Sequence, residues 1–210
     1  MRAETTPIER EWKYRLGNKQ QAQAILRDQQ LLDFAAGSWQ ETVLASVYYD
    51  TEDTLLRQSG IALRRRYDGV RHILCCKHGG ESSEGLYQRF EEEIVLISVP
   101  YPRDLPLYEF RIGRLLHDLT KTSPLIEIAA TEFVRKALII EVDKSRIEVA
   151  IDEGTLRRKF KKAPLLEVEL ELKEGDAAVL DRMAQDLALR HGLIIEEKSK
   201  LQRALELVQD

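Results

Sequence analysis

The chain has 210 residues, of which 43% are hydrophobic and 32% charged. That length and apolar content suit one large domain or two small ones and exclude disorder over most of the chain. The 32 Lys and Arg nearly cancel the 36 Asp and Glu, leaving a net charge of −4, so the lopsided basic balance of a general nucleic-acid or membrane-surface binder is missing.

The opening Met1-Arg2-Ala3-Glu4 runs on to Glu9 and Glu11 without an apolar stretch, against a signal peptide. No uncharged run approaches the roughly 18 residues of a membrane span, so the expectation is a soluble, cytoplasmic protein. Period-two alternation predicts eight strands, at about 7–15, 42–50, 61–68, 71–78, 86–97, 130–142, 145–153 and 164–173. Asp68-Gly69, Gly79-Gly80, Gly85 and Asp143-Lys144 supply turns between neighbours, and such short spacers imply antiparallel pairing. Amphipathic helices are predicted at about 18–33, 107–119, 176–190 and 198–208. With no repeat or Ser/Gly linker, the chain reads as a single domain, residues 1–210, with one insertion around Pro100, Pro102 and Pro106. Cys75 and Cys76 are adjacent, which excludes a CxxC pair or a disulfide framework. His72, His78, His117 and His191 lack ligand spacing. A metal here would be held by oxygen, which favours Mg²⁺ or Mn²⁺ over zinc.

Alternate side chains on a strand point to opposite faces. In the first strand Glu9, Glu11, Lys13 and Arg15 oppose Ile8, Trp12 and Tyr14; in the eighth, Glu167, Glu169 and Glu171 oppose Leu166, Val168, Leu170 and Leu172. Arg64 and Arg66 share a face of the third strand, Arg89, Glu91 and Glu93 a face of the fifth, and Lys77, Arg135 and Asp152 sit in the fourth, sixth and seventh. A sheet with one wet face shows the same alternation, so the period leaves open which face is inside. Carboxylates two residues apart stand about 6.5–7 Å from each other. Each such pair repels by about 2 kcal/mol at an effective dielectric of 20 and about 0.6 kcal/mol in water, so an inward row needs cations. Eight strands close a small barrel, and closure brings the first strand to the last. That would set Glu9 and Glu11 near Glu167 and Glu169 as a divalent-metal site, with the bases on the opposite wall.

The opening Glu9-Arg10-Glu11-Trp12-Lys13 has the form ExExK. It is followed by Tyr48-Tyr49-Asp50-Thr51, Gly60-Ile61-Ala62-Leu63-Arg64-Arg65-Arg66, Leu74-Cys75-Cys76-Lys77 and Arg89-Phe90-Glu91-Glu92-Glu93. Glu132-Phe133-Val134-Arg135, the stretch from Ile147 to Gly154, Leu166-Glu167-Val168-Glu169-Leu170-Glu171-Leu172, and Ser199-Lys200 with Arg203 complete the order. From Ile8 to about Arg203 the chain resembles the CYTH superfamily, the triphosphate tunnel metalloenzymes. The resemblance implies a mainly β fold: an eight-stranded antiparallel closed barrel forming a polar tunnel, with helices outside.

It further implies that Glu9, Glu11 and Lys13 form the catalytic group. Glu9, Glu11, Asp152, Glu167 and Glu169 are implied as metal ligands or their support, with Glu91 and Glu93 as a second acidic group. Lys13, Arg64, Arg66, Lys77, Arg89, Arg135 and Lys200 are implied as the triphosphate cradle, Lys200 coming from a C-terminal helix that closes the tunnel. Glu171 stands equally between solvent and ligation, Arg203 reads as a surface or salt-bridge residue, and Arg15, Arg65, Glu92 and Lys136 as surface charges. Cys75 replaces a small hydroxyl residue, and Ala137 replaces a further base. The implied activity is Mg²⁺- or Mn²⁺-dependent hydrolysis of inorganic tripolyphosphate. Thiamine or nucleoside triphosphates, cyclisation of ATP, and simple polyphosphate binding are the alternatives. The implied partner is a small-molecule triphosphate, with no nucleic acid and no membrane, for a monomer or homodimer.

Overall fold

A computed structural model describes residues 4–83 and 85–207, with backbone only for 4–7 and 81–83. Met1, Arg2, Ala3 and the last position of the expected helix 198–208 lie outside the described residues. Eight long strands form: β1 Glu4–Arg15, β2 Gln40–Thr51, β3 Ile61–Tyr67, β4 His72–Ser83, β5 Leu86–Leu96, β6 Leu125–Val142, β7 Ser145–Arg158 and β8 Lys161–Glu174. They run in the order β5-β4-β3-β2-β6-β7-β8-β1, all antiparallel, and β1 pairs back onto β5. The sheet therefore closes into the expected eight-stranded barrel. A two-residue strand, β9 Ile194–Ile195, adds to β1 at Tyr14 and Arg15.

The β6–β7 connection is the two-residue hairpin expected at Asp143-Lys144, with φ of 48° and 62°, the left-handed pair that matches strand twist. Beyond it β7 runs five residues further than its alternation suggested, because Gly154 continues the strand instead of ending it. A Cβ on Gly154 would lie 2.2 Å from the Glu132 carbonyl oxygen, so the glycine lets β6 and β7 approach.

The expected helix over 18–33 is two helices, α1 Lys19–Leu26 and α2 Gln29–Asp33. Asp28 breaks it by capping α2, its carboxylate accepting from Leu31 N. One helix escaped the periodicity: α3 Leu55–Gln58 is a single turn, organised by the buried Asp50 carboxylate, which accepts from Thr51 N, Leu56 N and Arg57 Nε. The expected helix over 107–119 begins only at α4 Gly113–Thr120, preceded by 3-10 turns at Pro102–Asp104 and Leu107–Glu109. Helix α5 Ala177–His191 matches expectation, whereas α6 Lys200–Leu205 is shorter than the expected 198–208, starting after the Ser199 cap, whose side chain accepts from Gln202 N.

The apolar faces of the strands point outward and are covered. Ile147, Val149, Ile151, Val168 and Leu170 pack against Ile25, Leu31, Leu180, Met183 and Leu187 of the helices, each buried aliphatic contributing about 1.5–3 kcal/mol. Trp12 also faces out, donating from Nε1 to Asp181 of α5 at 2.7 Å. The segment between β5 and β6 covers the other side, where Leu105, Phe110 and Leu116 pack on Leu63, Leu74 and Ile94. Glu92, expected at the surface, is instead buried at 2% exposure. Its carboxylate accepts from Arg111 N at 3.0 Å and lies 3.3 Å from His78 Nε2, pinning that segment to the barrel. Among the described residues no helix is long and apolar enough to cross a membrane.

Candidate active site in the barrel interior

The charged rows of β1, β3, β4, β5, β6, β7 and β8 turn inward, while β2 presents Gln40, Thr42, Leu44 and Tyr48 to the interior. Glu9, Glu11, Lys13 and Glu169 are 6%, 7%, 4% and 6% exposed, and Asp152 and Glu167 are fully buried, which decides against a solvated charged face. The interior is a cavity of about 780 Å³ lined from β1 by Glu9, Glu11 and Lys13, from β3 by Arg64 and Arg66, and from β4 by Lys77. Strand β5 contributes Arg89, Glu91 and Glu93, β6 Arg135, β8 Glu169 and α6 Lys200. Asp152 and Glu167 do not line it; they stand behind Lys200, whose ammonium lies 2.8 Å from Asp152 and also pairs with Glu167. Helix α6 seats Leu201 and Ala204 on Leu44, Tyr48, Phe133 and Leu165, and so carries Lys200 into the barrel.

Acids and bases are interleaved, not separated onto two walls. Lys13 Nζ lies 3.2 Å from Glu11 and 3.3 Å from Glu169. Lys77 donates to both oxygens of Glu9 at 2.6 and 2.7 Å and approaches Glu91 at 3.3 Å. Arg66 holds Glu93 at 2.7 Å and Arg64 holds Glu91 at 3.4 Å. Arg135 forks onto Asp152 at 2.8 and 2.7 Å and reaches Glu169 at 2.5 Å. In a dry interior each carboxylate is stable only beside a cation, so segregated walls would leave two unpaired rows. Arg203, expected as a surface or salt-bridge residue, pairs with Glu167 and, at 3.1 Å, with Glu196.

The expected grouping of Glu9 and Glu11 with Glu167 and Glu169 does not form. Across the β1–β8 ladder Glu11 faces Glu171, Lys13 faces Glu169 and Arg15 faces Glu167, so Lys13 separates the two sets. Glu169 instead converges with Asp152 and Glu167, one oxygen from each lying within 4.8 Å of the others. Glu171 joins Glu9 and Glu11 as a cavity-lining residue. Burial raises its pKa to about 7, Lys173 opposes the rise, and the charges of Glu9 and Glu11 add to it. Burial also opposes charge on Glu169, but Lys200, Lys13 and Arg135 hold it well below the usual carboxylate range.

Oxygen donors that repel one another and have only a half-exposed lysine for relief fit a divalent cation. Glu171 meets that description, since Lys173, its 2.7 Å partner, has a side chain 37% exposed. Cys75 also converges with Glu91 and Glu93 within 4.8 Å. Burial pushes its thiol up to about 11, so near neutrality Sγ is a hydrogen-bond donor 3.2 Å from Glu93 and not a thiolate ligand.

Sequence reasoning passed over Tyr87, Glu148 and Lys173, all of which line the cavity. Each continues an inward row already recognised: Tyr87 precedes Arg89 by two residues, Lys173 follows Glu171 by two, and Glu148 precedes Asp152 by four. The period-two rule carried to the strand ends would have found them. Arg65 and Lys136 do face outward, Arg65 donating to Tyr49 Oη at 3.2 Å, whereas Arg15, in register with Glu167, continues the inward row and is exposed at the strand end.

A closed antiparallel barrel with a charged, ion-paired interior defines a class of tunnel proteins, and the sequence comparisons agree. The CYTH domain family model matches residues 7–205; the chain belongs to the CYTH domain family. It is 29% identical over 175 residues to an inorganic triphosphatase of Haemophilus influenzae, a match covering 83% of this chain and 49% of that protein. The chain thus spans about half the length of the curated relative. Its fold is similar to that of a candidate adenylyl cyclase from Hippeastrum in which a dominant triphosphatase activity was found: 18% identity, 94% of this chain and 95% of the other, TM-score 0.65. A candidate adenylate cyclase from Bacillus halodurans shares the fold at 18% identity, covering 94% and 97% of the two chains with a TM-score of 0.61.

Proposed function

We propose that this chain is a metal-dependent triphosphatase that hydrolyses inorganic tripolyphosphate to diphosphate and phosphate. The observation that carries the substrate choice is the state of Tyr87 and Phe133, two of the three aromatic rings that line the cavity. Lys13 Nζ lies 4.3 Å and Arg89 Cζ 4.7 Å from the Tyr87 ring centroid, and Lys200 Nζ and Arg135 Cζ lie 5.2 and 5.9 Å from that of Phe133. Those rings already carry the protein's own cations, so they offer no stacking platform to a nucleobase or to thiamine.

Phosphoanhydride hydrolysis needs charge neutralised on non-bridging oxygens and an in-line water, with little covalent help from the protein. Water oxygen bonds to the terminal phosphorus, the bridging P–O bond breaks, and diphosphate leaves, the water's proton passing to a phosphate oxygen of the products. Arg64, Arg66, Lys77, Arg89 and Lys13 neutralise the anion, each exchanging a carboxylate for phosphate oxygens except Arg89. With Lys77 and Lys13 turned from Glu9 and Glu11 to the phosphates, these two carboxylates and Glu171 would hold a Mg²⁺ or Mn²⁺ ion, which would supply positive charge against the triphosphate. Asp152, Glu167 and Glu169 keep Lys200 and Arg135 in place beneath the anion.

Phosphate release from tripolyphosphate, ATP and thiamine triphosphate, with and without Mg²⁺ or Mn²⁺, tests the reading. Tripolyphosphate is expected to turn over fastest and only with the ion; faster turnover of ATP overturns the substrate. Arg66→Ala is expected to raise KM about tenfold or more, the loss of a charge-assisted hydrogen bond of about 1.5–3 kcal/mol, and an unchanged KM returns Arg66 to a purely structural role.

A further inference from the structure

Of the bases expected in the cradle, Arg89 alone makes no ion pair with a carboxylate among the described residues. Its cross-strand neighbour is Glu9, but both Glu9 oxygens already accept from Lys77. What holds the Arg89 guanidinium is the face of Tyr87, 4.7 Å from ring centroid to Cζ. That ring is 2% exposed, lines the cavity and also carries Lys13 at 4.3 Å. Two cations on one ring repel each other, and a desolvated π face is what offsets the repulsion. The Tyr87 hydroxyl is buried with no hydrogen-bond partner among the described residues, so the ring and not the hydroxyl ties the residue to its charged neighbours.

We propose that Tyr87 is a positioning residue whose ring holds Arg89 toward the tunnel as the base that meets the incoming triphosphate first. The other bases must release a carboxylate before they bind phosphate; Arg89 has none to release. This role rests on the tripolyphosphate reading and adds to it a subsite that works before any metal ion is bound.

Calorimetric titration of tripolyphosphate into the full chain in EDTA is the test. Tyr87→Leu is expected to weaken binding about fivefold, as for loss of a partly desolvated cation–π contact. Tyr87→Phe keeps the ring and is expected to recover the wild-type affinity. Arg89→Met should weaken binding at least as much as Tyr87→Leu, and the double variant no further than Arg89→Met alone, because the two residues act as one unit. In turnover with metal the Tyr87→Leu loss should fall on KM and leave kcat within about twofold, as expected when binding common to ground and transition state is removed. Tyr87→Met, of similar volume to leucine but unbranched and better able to fill an irregular gap, replaces Tyr87→Leu if the branched side chain prevents folding. Equal losses in Tyr87→Phe and Tyr87→Leu, or additive losses in the double variant, overturn the proposal while leaving the substrate reading intact. A wild-type chain that neither binds nor hydrolyses tripolyphosphate overturns both.

Discussion

Glu169 and Glu171 stand two residues apart on the same inward face of β8, yet their acidities move in opposite directions. Glu169 is held well below the ordinary range by Lys200, Lys13 and Arg135 against the cost of burial. Glu171 is pushed up to about 7, because burial outweighs Lys173 and because Glu9 and Glu11 are also negative. The strand period is the same for both; the difference lies in which cations the neighbouring strands and α6 deliver. Glu169 belongs, with Asp152 and Glu167, to a group gathered on Lys200 before any ligand arrives, whereas Glu171 itself is left short of positive charge, since Lys77 and Lys13 serve Glu9 and Glu11. The first group fixes bases, and Glu171 is the carboxylate that a further cation would relieve.

The largest effect is expected from breaking the first group. Lys200→Met leaves Asp152, Glu167 and Glu169 short of their shared ammonium, and loss of one partner from a buried ion pair costs about 3–5 kcal/mol. Urea denaturation should show it, and a loss under about 1 kcal/mol would mean that Arg135 and Arg203 suffice. Next comes Glu171→Gln. With a folded pKa near 7 against an ordinary 4.5, the native state keeps a proton that the unfolded chain releases, so Glu171 makes stability fall as pH rises from about 4.5 to about 7. The variant should match wild type at pH 4 and exceed it at pH 8, by up to about 3 kcal/mol in the ligand-free protein; equal melting temperatures at pH 8 would show that Glu171 is not strained.

Glu169→Ala keeps Asp152 and Glu167 for Lys200 and Arg135, so the fold is expected to survive while kcat drops about a hundredfold or more, about 2.7 kcal/mol. A wild-type rate removes Glu169 from the machinery. The smallest effect is expected from Lys173→Met, where a half-exposed ion pair contributes under about 1 kcal/mol. A thermal shift as large as that of Lys200→Met would erase the contrast between the first group and Glu171.

Much of the site was legible because alternation is a local property. Glu9, Glu11 and Lys13, or Glu167, Glu169 and Glu171, must share a face on any strand, whatever the strand packs against. The hairpin at Asp143-Lys144 was readable for a similar reason, since its backbone conformation is decided within the turn. What could not be read was partnership. A strand slipped by two residues keeps every side chain on its proper face but moves each cross-strand neighbour by about 6.6 Å. The expected pairing of Glu9 and Glu11 with Glu167 and Glu169 fails in this way: Glu11 meets Glu171 and Lys13 meets Glu169. Glu92 was misplaced for a related reason, because its outward face is covered by a segment between β5 and β6 whose docking no strand pattern encodes.

Read alone, the sequence determined the strands, the two sets of side chains each strand separates, most turns, and a family resemblance built on the order of charged motifs. Strand period left open which face is inside and the family resemblance implied the charged one; only the tertiary structure decided that Lys13 divides Glu11 from Glu169, that Glu171 lacks a full counter-charge and that Arg89 rests on Tyr87. The first group of facts follows from torsions and spacing within a few residues. The second depends on barrel closure and strand register, which bring together residues more than 150 positions apart, such as Lys13 and Glu169, and in a dry interior those distances decide which charges can exist.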